Sequence, residues 1–297
     1  MSKLNRIEWP TVAMLAFTYL IWGVATVWVA QWSLPVAMIV VAIAGAQHSS
    51  LQHEVLHGHP TTSTWLNEAM VFPALTVAIP YIRFRDSHLA HHQDSILTDP
   101  YDDPESNFQD PAVWNSLPMW WKKVLGFNNT LAGRMLVGPI VAQIAFMFCD
   151  WRAIKSGDRA VLNGWLWHFP ALALVLWWIV SVSAMPVWAF LIAAYVSLSI
   201  LKIRTYLEHQ AHDRASGRTV IIEDRGPLAL IFLNNNLHIV HHMHPRVAWY
   251  RLPKLYFANP ERYLSRNDGY RFRNYNEIFK KFLLRAKDPV PHPLWRK

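Results

Sequence analysis

The sequence predicts an all-α integral membrane protein with four transmembrane helices in two hairpins. Only 16% of its 297 residues are charged, whereas about 25% is usual for a soluble domain. Two stretches, Trp9 to His53 and Ala160 to Leu201, contain no Lys, Arg, Asp or Glu. A membrane helix needs about 20 apolar residues, and each stretch is about twice that length. Each stretch therefore predicts two helices joined by a tight turn.

Pro35 and Pro186 lie near the middle of the two stretches, where the turns are predicted. The predicted transmembrane helices cover about residues 11–32, 35–57, 161–182 and 186–207. A secretory signal peptide is a poor interpretation of the first helix, because its apolar run continues directly into a second one. We expect a single membrane-bound domain over residues 1–297, with a cytosolic helical cap formed by residues 83–160 and 208–297.

Two shorter uncharged runs, Ala69 to Ile82 and Met135 to Cys149, are below the usual spanning length and contain prolines. We expect both to form interfacial or re-entrant helices. If the first run crossed the membrane, it would carry the histidines of residues 88–92 to the side opposite His53.

The distribution of basic residues indicates the orientation of the protein in the membrane. Neither inter-helix turn contains Lys or Arg, so all 28 basic residues lie on the other side of the membrane. Because basic residues accumulate on the cytoplasmic side, the N-terminus, the middle segment and the C-terminal third should all be cytoplasmic, at the inner membrane if the cell is bacterial. The net charge of +8 is explained by this bias and by anionic lipids, and no nucleic-acid partner is expected. The single Cys149 excludes Cys-ligated zinc and Cys-ligated iron–sulfur clusters.

Most of the 15 histidines are clustered in short motifs at the cytoplasmic ends of the predicted helices. Residues three and four apart on a helix share a face, so H-x-x-x-H and H-x-x-H-H present several imidazoles together, and imidazole is the commonest metal ligand. The candidate ligands are His53, His57, His88, His91, His92, His209, His238, His241 and His242. These are too many for one ion and suit two ions with four or five ligands each.

The first motif alone, His53-Glu54-Val55-Leu56-His57, matches the H-E-x-x-H helix of zinc proteases. That interpretation leaves the other motifs without a role. An intramembrane protease would also need an Asp ligand in a later span, and residues 161–182 and 186–201 contain none. We expect Glu54 instead to accept the N–H of a ligating imidazole.

Several other polar residues lie close to the motifs. Asn234, Asp94 and Asp99 are candidates to orient ligands, although Asp-Pro turn chemistry explains the aspartates equally well. We expect His48 to be a polar lining residue and His292 to lie on the surface.

The order of the motifs resembles that of the membrane-bound fatty acid desaturase superfamily, which also includes hydroxylases, alkane monooxygenases and carotenoid ketolases. The boxes HEVLH, HLAHH and HIVHH occur in that order around two hydrophobic hairpins, and the likeness runs from about residue 35 to 257. The stretches LTDPYDDPES, RTYLEH, EDRGPLA and NNNLHIVHH are similar to those of short bacterial members. Box one departs from the more common pattern, since it opens His-Glu rather than His-Asp.

The resemblance implies a catalytic centre of two iron ions (Fe2+) bound by the nine histidines named above. His209 is chosen as the additional ligand that follows the fourth helix, and His212 is the second choice. The implied activity is O2-dependent desaturation of an aliphatic acyl chain of a membrane lipid or fatty acid. The alternative is a hydroxylase, monooxygenase or ketolase acting on a lipid, alkane or carotenoid.

Electrons would have to come from an external donor such as ferredoxin or a cytochrome. The sequence contains neither a Rossmann glycine pattern nor a Cys cluster that could hold a redox cofactor. A metal transporter or a bis-histidine haem protein is the alternative from a different class. A transporter would place ionisable residues inside the membrane, whereas the first, third and fourth predicted helices lack charged residues over most of their length.

Overall fold

The computed structural model describes residues 7–92 and 94–295. Its N-terminal half contains the helices α1 (Trp9–Trp32), α2 (Leu34–Leu56), α3 (Thr64–Met70), α4 (Tyr81–His91), α5 (Pro111–Ser116), α6 (Met119–Asn128) and α7 (Leu131–Leu136). The remaining helices are α8 (Gly138–Lys155), α9 (Arg159–Ser181), α10 (Val187–Thr205), α11 (Pro227–Ile231), α12 (His238–Met243), α13 (Leu252–Ala258), α14 (Pro260–Arg266) and α15 (Tyr275–Phe282). Strands β1 (Ile221–Ile222) and β2 (Arg271–Phe272) form one short parallel pair.

Four helices, α1, α2, α9 and α10, are long and apolar enough to cross a membrane. The prediction of an all-α membrane protein with four such helices is confirmed. Prolines start α1 and α2, where the missing N–H costs no helical hydrogen bond. The side chain of Asp158 caps α9 by accepting hydrogen bonds from the backbone N–H groups of Ala160 and Val161.

The two shorter apolar runs differ from each other. The second run lies in α7 and α8, and α8 is not among the candidate spans. The first run does not form the expected helix, because α3 ends at Met70 and turns occupy most of the chain up to Pro80. Pro73 and Pro80 explain the difference, since proline disfavours helix at the residue before it and cannot donate a backbone hydrogen bond.

The chain divides into two compact units. The first unit contains the chain up to Arg85 together with Ile140–Leu201. Its core is built where the four long helices pack, around buried residues such as Trp22, Val41, Val175 and Phe190. Many large apolar side chains of these helices are exposed, as expected of a surface that contacts lipid.

The second unit contains Asp86–Pro139 and the chain from Lys202 onward. Its helices are short, and one core cluster joins β1, α12, α13 and α14 through Ile221, Val240, Tyr256 and Tyr263. Ile239 and Val240 of α12 belong to this cluster. The core therefore holds the helix that carries the third histidine box.

Candidate metal centre

Four histidines of the second unit form a tight group. One ligand nitrogen from each of His91, His209, His238 and His242 lies within 4.8 Å of the others. The Nε2 atom of His209 is 2.9 Å from Nε2 of His91 and 3.2 Å from Nε2 of His238. Residues from three distant parts of the chain therefore meet at His209.

A second group in the same unit contains His88, His92 and His241. The Nε2 atoms of His88 and His92 are 2.9 Å apart, and those of His92 and His241 are 3.1 Å apart. The two groups adjoin each other, because the rings of His92 and His242 stack with centroids 4.3 Å apart.

Local structure explains how each motif presents its rings. α4 ends at His91, and His88 lies one turn earlier. α12 is six residues long and places His238, His241 and His242 around its ends. His209 follows α10 and forms an isolated β-bridge with Thr219.

His53 and His57 belong to the first unit and lie at the end of α2. Their ring centroids are 5.1 Å apart. Each offers a ligand nitrogen within 4.8 Å of the other. The first box thus forms a pair of neighbouring imidazoles, as its H-x-x-x-H spacing predicts.

A sequence model of the fatty acid desaturase family matches residues 26–274. The chain belongs to the fatty acid desaturase family. All nine candidate ligands lie inside the matched region. A beta-carotene ketolase from a Paracoccus species is 24% identical over 249 residues, covering 82% of this chain and 79% of that protein. The chain is therefore similar both to desaturases as a family and, more distantly, to a ketolase.

Carboxylates hold the outer nitrogens of two imidazoles in this desaturase-family centre. The Nδ1–H of His91 donates to Oδ1 of Asp103 at 2.7 Å, and the Nδ1–H of His88 donates to Oε1 of Glu105 at 2.9 Å. In the neutral form of each ring, the proton lies on Nδ1 and Nε2 carries a lone pair directed at the group. The backbone N–H groups of Thr98 and Glu105 donate to the Asp103 carboxylate and fix its position.

The motifs did not identify these carboxylates. Asp99, which the sequence suggested, accepts hydrogen bonds from the backbone of Tyr101 and Asp102 and so forms a turn. The Asp94 side chain lies outside the described residues. Asp103 and Glu105 lie in the same LTDPYDDPES stretch, and its density of carboxylates is a signal from which they could have been proposed.

Before the third box, the residue that contacts the imidazole is one position away from the residue that the sequence suggested. The Nδ1–H of His238 donates to Oδ1 of Asn235 at 3.1 Å. Asn234 instead donates to the backbone carbonyl of Trp249. Glu208 lies near the same imidazole, with Oε1 3.7 Å from His238 Nδ1, and also pairs with Arg204 at 2.9 Å.

The other histidines have separate contacts. His212, the second choice for the additional ligand, lies 3.2 Å from a carboxylate oxygen of Asp268 and is not in the described groups. His48 contacts the hydroxyl of Tyr19 at 2.9 Å. The surface position predicted for His292 is wrong, because that residue is 7% exposed and its Nε2 is 3.2 Å from the Thr98 hydroxyl. Its short helix-free segment gave no periodicity from which burial could be inferred.

Box one also includes the acidic residue that the sequence singled out. Glu54 is buried, and its Oε1 lies 3.9 Å from Nε2 of His59. The Nδ1–H of His59 donates to Glu8 at 2.7 Å. Glu8, His59 and Glu54 therefore form a polar cluster at the end of α2, within the first unit.

Burial controls the protonation of the rings. Desolvation, followed by the neighbouring imidazoles, places the pKa of His209 and of His238 well below its ordinary value. Both rings are therefore neutral near pH 7 and can donate a lone pair to a metal. Burial also disfavours the charged form of His91, but Glu105 and Asp103 outweigh it and raise the pKa of His91 to about 9.

The donor set fits a metal ion in geometry and in chemistry. Nitrogen ligands bonded at about 2.1 Å and separated by right angles lie about 3 Å apart, which is the spacing found between His209 and its neighbours. Imidazole suits Zn, Cu, Fe and Ni. The second unit therefore supplies two adjoining sets of imidazoles that can hold metal ions.

A small polar cavity of about 60 Å³ borders this centre. His209, Glu105 and Glu208 line one part of it, and Arg134 and Lys287 line another. The Lys287 ammonium donates to the backbone carbonyl of His209. A polar cavity of this size can accommodate water, so the outer side of the centre has room for solvent.

Proposed function

We propose that this protein is an O2-dependent di-iron oxidoreductase that introduces a double bond into an aliphatic acyl chain of a membrane lipid or fatty acid. The observation that carries the proposal is the pair of adjoining imidazole groups in a member of the fatty acid desaturase family. Removing hydrogen from an unactivated methylene is beyond the acid–base chemistry of side chains and requires a cofactor.

The ligands are assigned to two ions. His91, His209, His238 and His242 would bind the first ion. His88, His92 and His241 would bind the second ion. We assign His53 and His57 to the same ion because they form the first histidine box. Two iron ions bound in this way would supply the activation of O2.

The protein's own residues would orient the centre and keep its ligands in one protonation state. Asp103 and Glu105 hold the protons of His91 and His88 on Nδ1, away from the ions. Asn235 does the same for His238. The four apolar helices would hold the protein in the membrane. A hydrocarbon chain in the membrane could then reach the protein without crossing water.

Further parts of the proposal concern location and partners. The centre is placed on the cytoplasmic face, because the turns between the paired long helices contain no Lys or Arg. Electrons are supplied by a separate carrier such as ferredoxin or a cytochrome. Turnover of the purified protein with NADPH alone would contradict this part.

Ketone or hydroxyl formation on a lipid, alkane or carotenoid is the second candidate. The similarity to the Paracoccus beta-carotene ketolase, which extends over 82% of this chain, favours it. Both reactions begin with loss of hydrogen from a C–H bond. They differ in whether a second hydrogen leaves or oxygen is inserted.

The test combines metal analysis with product analysis. The protein is purified after iron-replete expression and should contain close to two iron ions per chain. Lipids and pigments of an expression host that lacks the activity are then analysed by mass spectrometry. Loss of two hydrogens from a lipid chain indicates desaturation, and gain of oxygen on a lipid or pigment indicates the second candidate.

A paired variant tests the ligand assignment. His91→Ala combined with His241→Ala removes one ligand from each group and should abolish iron binding and turnover. His212→Ala is the matched control, because that imidazole lies outside both groups. Unchanged turnover in the double variant, or iron near zero in the unaltered protein, would contradict the proposal.

A further inference from the structure

We propose that a basic surface on the second unit is the docking site of a small acidic one-electron carrier protein. The surface is defined by Arg251 and Lys254, which lie one turn apart at the start of α13, and by Arg225, which reaches the ring of Phe257 in the same helix. Arg246 and Arg262, exposed cations of the adjoining segments, are included, and the set is called the basic surface below. The inference rests on the proposed function, because that reaction consumes electrons, which are proposed to come from a separate carrier.

The charges of the basic surface are available to a partner. All five residues are exposed. Within the described part of the chain, none of the five has an ion pair with a carboxylate, whereas Arg214 pairs with Asp268 at 3.0 Å and Arg271 lies 3.6 Å from Glu223. Asp224 and Glu261 are sequence neighbours of Arg225 and Arg262, and cations remain in excess, five against two. An excess of cations attracts and orients an acidic protein.

Aromatic side chains are interleaved with these cations. Arg225 lies over the ring of Phe257 at 5.3 Å, and Arg251 lies over the ring of Tyr250 at 5.4 Å. Phe257 is 46% exposed. Protein interfaces commonly combine a small apolar or aromatic contact with surrounding Arg residues. Phe257 with its basic neighbours has this composition.

One residue of the basic surface, Arg262, lies close to the end of the third histidine box. Arg262 covers the ring of Tyr263 at 5.8 Å, and Tyr263 is buried. The Tyr263 hydroxyl is 3.4 Å from Nε2 of His244. His244 follows His242 by two residues. The Tyr263 side chain therefore connects Arg262 to the C-terminal end of the helix that carries three candidate ligands.

The packing favours a protein partner over a membrane. Leu252, Pro253 and Tyr256 of α13 and Tyr263 of α14 are buried inside the second unit. A helix that lies on a membrane keeps an apolar face outward. The outward positions of α13 and α14 are mainly charged or polar, with Phe257 as the large apolar exception.

The test measures binding of a plant-type [2Fe–2S] ferredoxin, an acidic probe, to the iron-loaded protein in nanodiscs of zwitterionic lipid. The variant combines Arg251→Glu, Lys254→Glu and Arg262→Glu. We expect its affinity for ferredoxin to fall by at least about tenfold, and the salt dependence of binding to weaken. Ferredoxin-driven product formation should fall in parallel, while product formation driven by dithionite stays unchanged.

The matched control combines Lys123→Glu, Arg273→Glu and Lys280→Glu. These three residues are also exposed cations of the second unit, so the net charge changes equally. Ferredoxin binding should be retained in the control. An equal loss in both variants would overturn the proposal, because net charge rather than the basic surface would then govern binding.

The last part of the test measures binding to vesicles that contain phosphatidylglycerol. If the variant loses vesicle binding while ferredoxin binding is unchanged, the basic surface contacts lipid and the proposal is overturned. Failure of the proposed function is recognised separately, by iron near zero or by absence of product with dithionite in the unaltered protein.

Discussion

Asp103 illustrates how a single carboxylate can orient the imidazole of a candidate metal ligand. Its Oδ1 accepts the Nδ1–H of His91, and both side chains are buried, each with 1% of its side-chain surface exposed. The backbone of Thr98 and Glu105 holds this carboxylate in place. The orientation of His91 therefore depends on a residue that the spacing of the histidines does not identify.

We expect Asp103→Asn to weaken metal retention by about 10- to 100-fold, the usual effect of removing an outer partner of a ligating imidazole. The amide can still accept one hydrogen bond, but it removes the negative charge that favours binding of a cation. The measurement is the iron content per chain after dialysis against increasing concentrations of a chelator.

Asp102→Asn is the control for this prediction. Asp102 is the exposed neighbour of Asp103, so the control makes the same chemical change outside the centre. Equal iron loss from both variants would mean that the contact between Asp103 and His91 has no specific role.

Motif spacing predicted which histidine rings share a helical face, whereas His209 was chosen from the family resemblance. That the nine candidate histidines bind metal stays a prediction. Their outer partners could not be predicted from spacing. Asp103, Glu105 and Asn235 reach the rings through loops and turns, where no periodicity indicates the direction of a side chain. Asn234 and Asn235 are adjacent in sequence, and only the backbone of the turn before α12 decides which of them faces His238.

At the scale of elements, the long helices were the most predictable part of the fold. The predicted spans and the observed helices differ by only a few residues at their ends, because long uncharged runs leave few alternatives in a membrane. The short elements of the second unit were not predicted individually. Strands β1 and β2 are two residues long, and their pairing depends on the tertiary fold.

α2 and α10 pack closely at Gly45, within the first unit. A Cβ atom on Gly45 would lie 2.4 Å from Oγ and 3.1 Å from Cβ of Ser197. The Ser197 hydroxyl already donates to the backbone carbonyl of Ala193. A larger side chain at residue 45 would therefore have to displace the neighbouring helix.

We expect Gly45→Leu to destabilise the protein by about 1–3 kcal/mol or more, the typical cost of overpacking. The measurement is the free energy of unfolding in mixed detergent and SDS micelles. Gly126→Leu serves as the control, because a Cβ atom there would meet nothing within 4 Å. A stability of Gly45→Leu equal to that of the control would show that the two helices can separate without cost.

α12 is too short to be stable alone, since isolated helices of fewer than about 12 residues are marginal. It carries three candidate ligands, and the core residues Ile239 and Val240 hold it from the other side. Removal of metal should therefore loosen this element more than others.

The expected result is faster amide hydrogen exchange over residues 238–243 after treatment with a chelator, and recovery after iron is returned. α15 provides an internal reference in the same unit, because it carries none of the candidate ligands. Exchange that stays unchanged in α12 would indicate that its core contacts suffice to stabilise it.

For the whole molecule, the distribution of charge carries the main argument about orientation. The turns between the paired long helices contain no basic residue, while 28 basic residues occupy the rest of the chain. The interpretation of residues 1–297 as one functional domain stays a prediction, as does the cytoplasmic position of the centre.

Cysteine labelling tests the orientation. Cys149 is exposed and is first replaced by Ser. In that background, Ala184→Cys, in the turn before α10, should react in intact cells with a maleimide that does not cross membranes. Ser265→Cys in α14 should react only after the cells are opened. The reverse pattern would place the histidine motifs outside the cytoplasm.

The imidazole groups of the second unit also have an electrostatic consequence. Seven rings that bind metal through a lone pair would be neutral and contribute no charge. The carboxylates of Asp103, Glu105 and Glu208 would compensate only part of the charge of two divalent ions, since Arg204 already offsets Glu208. An excess of positive potential favours the lower valence of a bound metal. If the centre holds iron as proposed, its reduction potential should therefore be higher than that of a carboxylate-rich centre, and this higher potential favours the ferrous form.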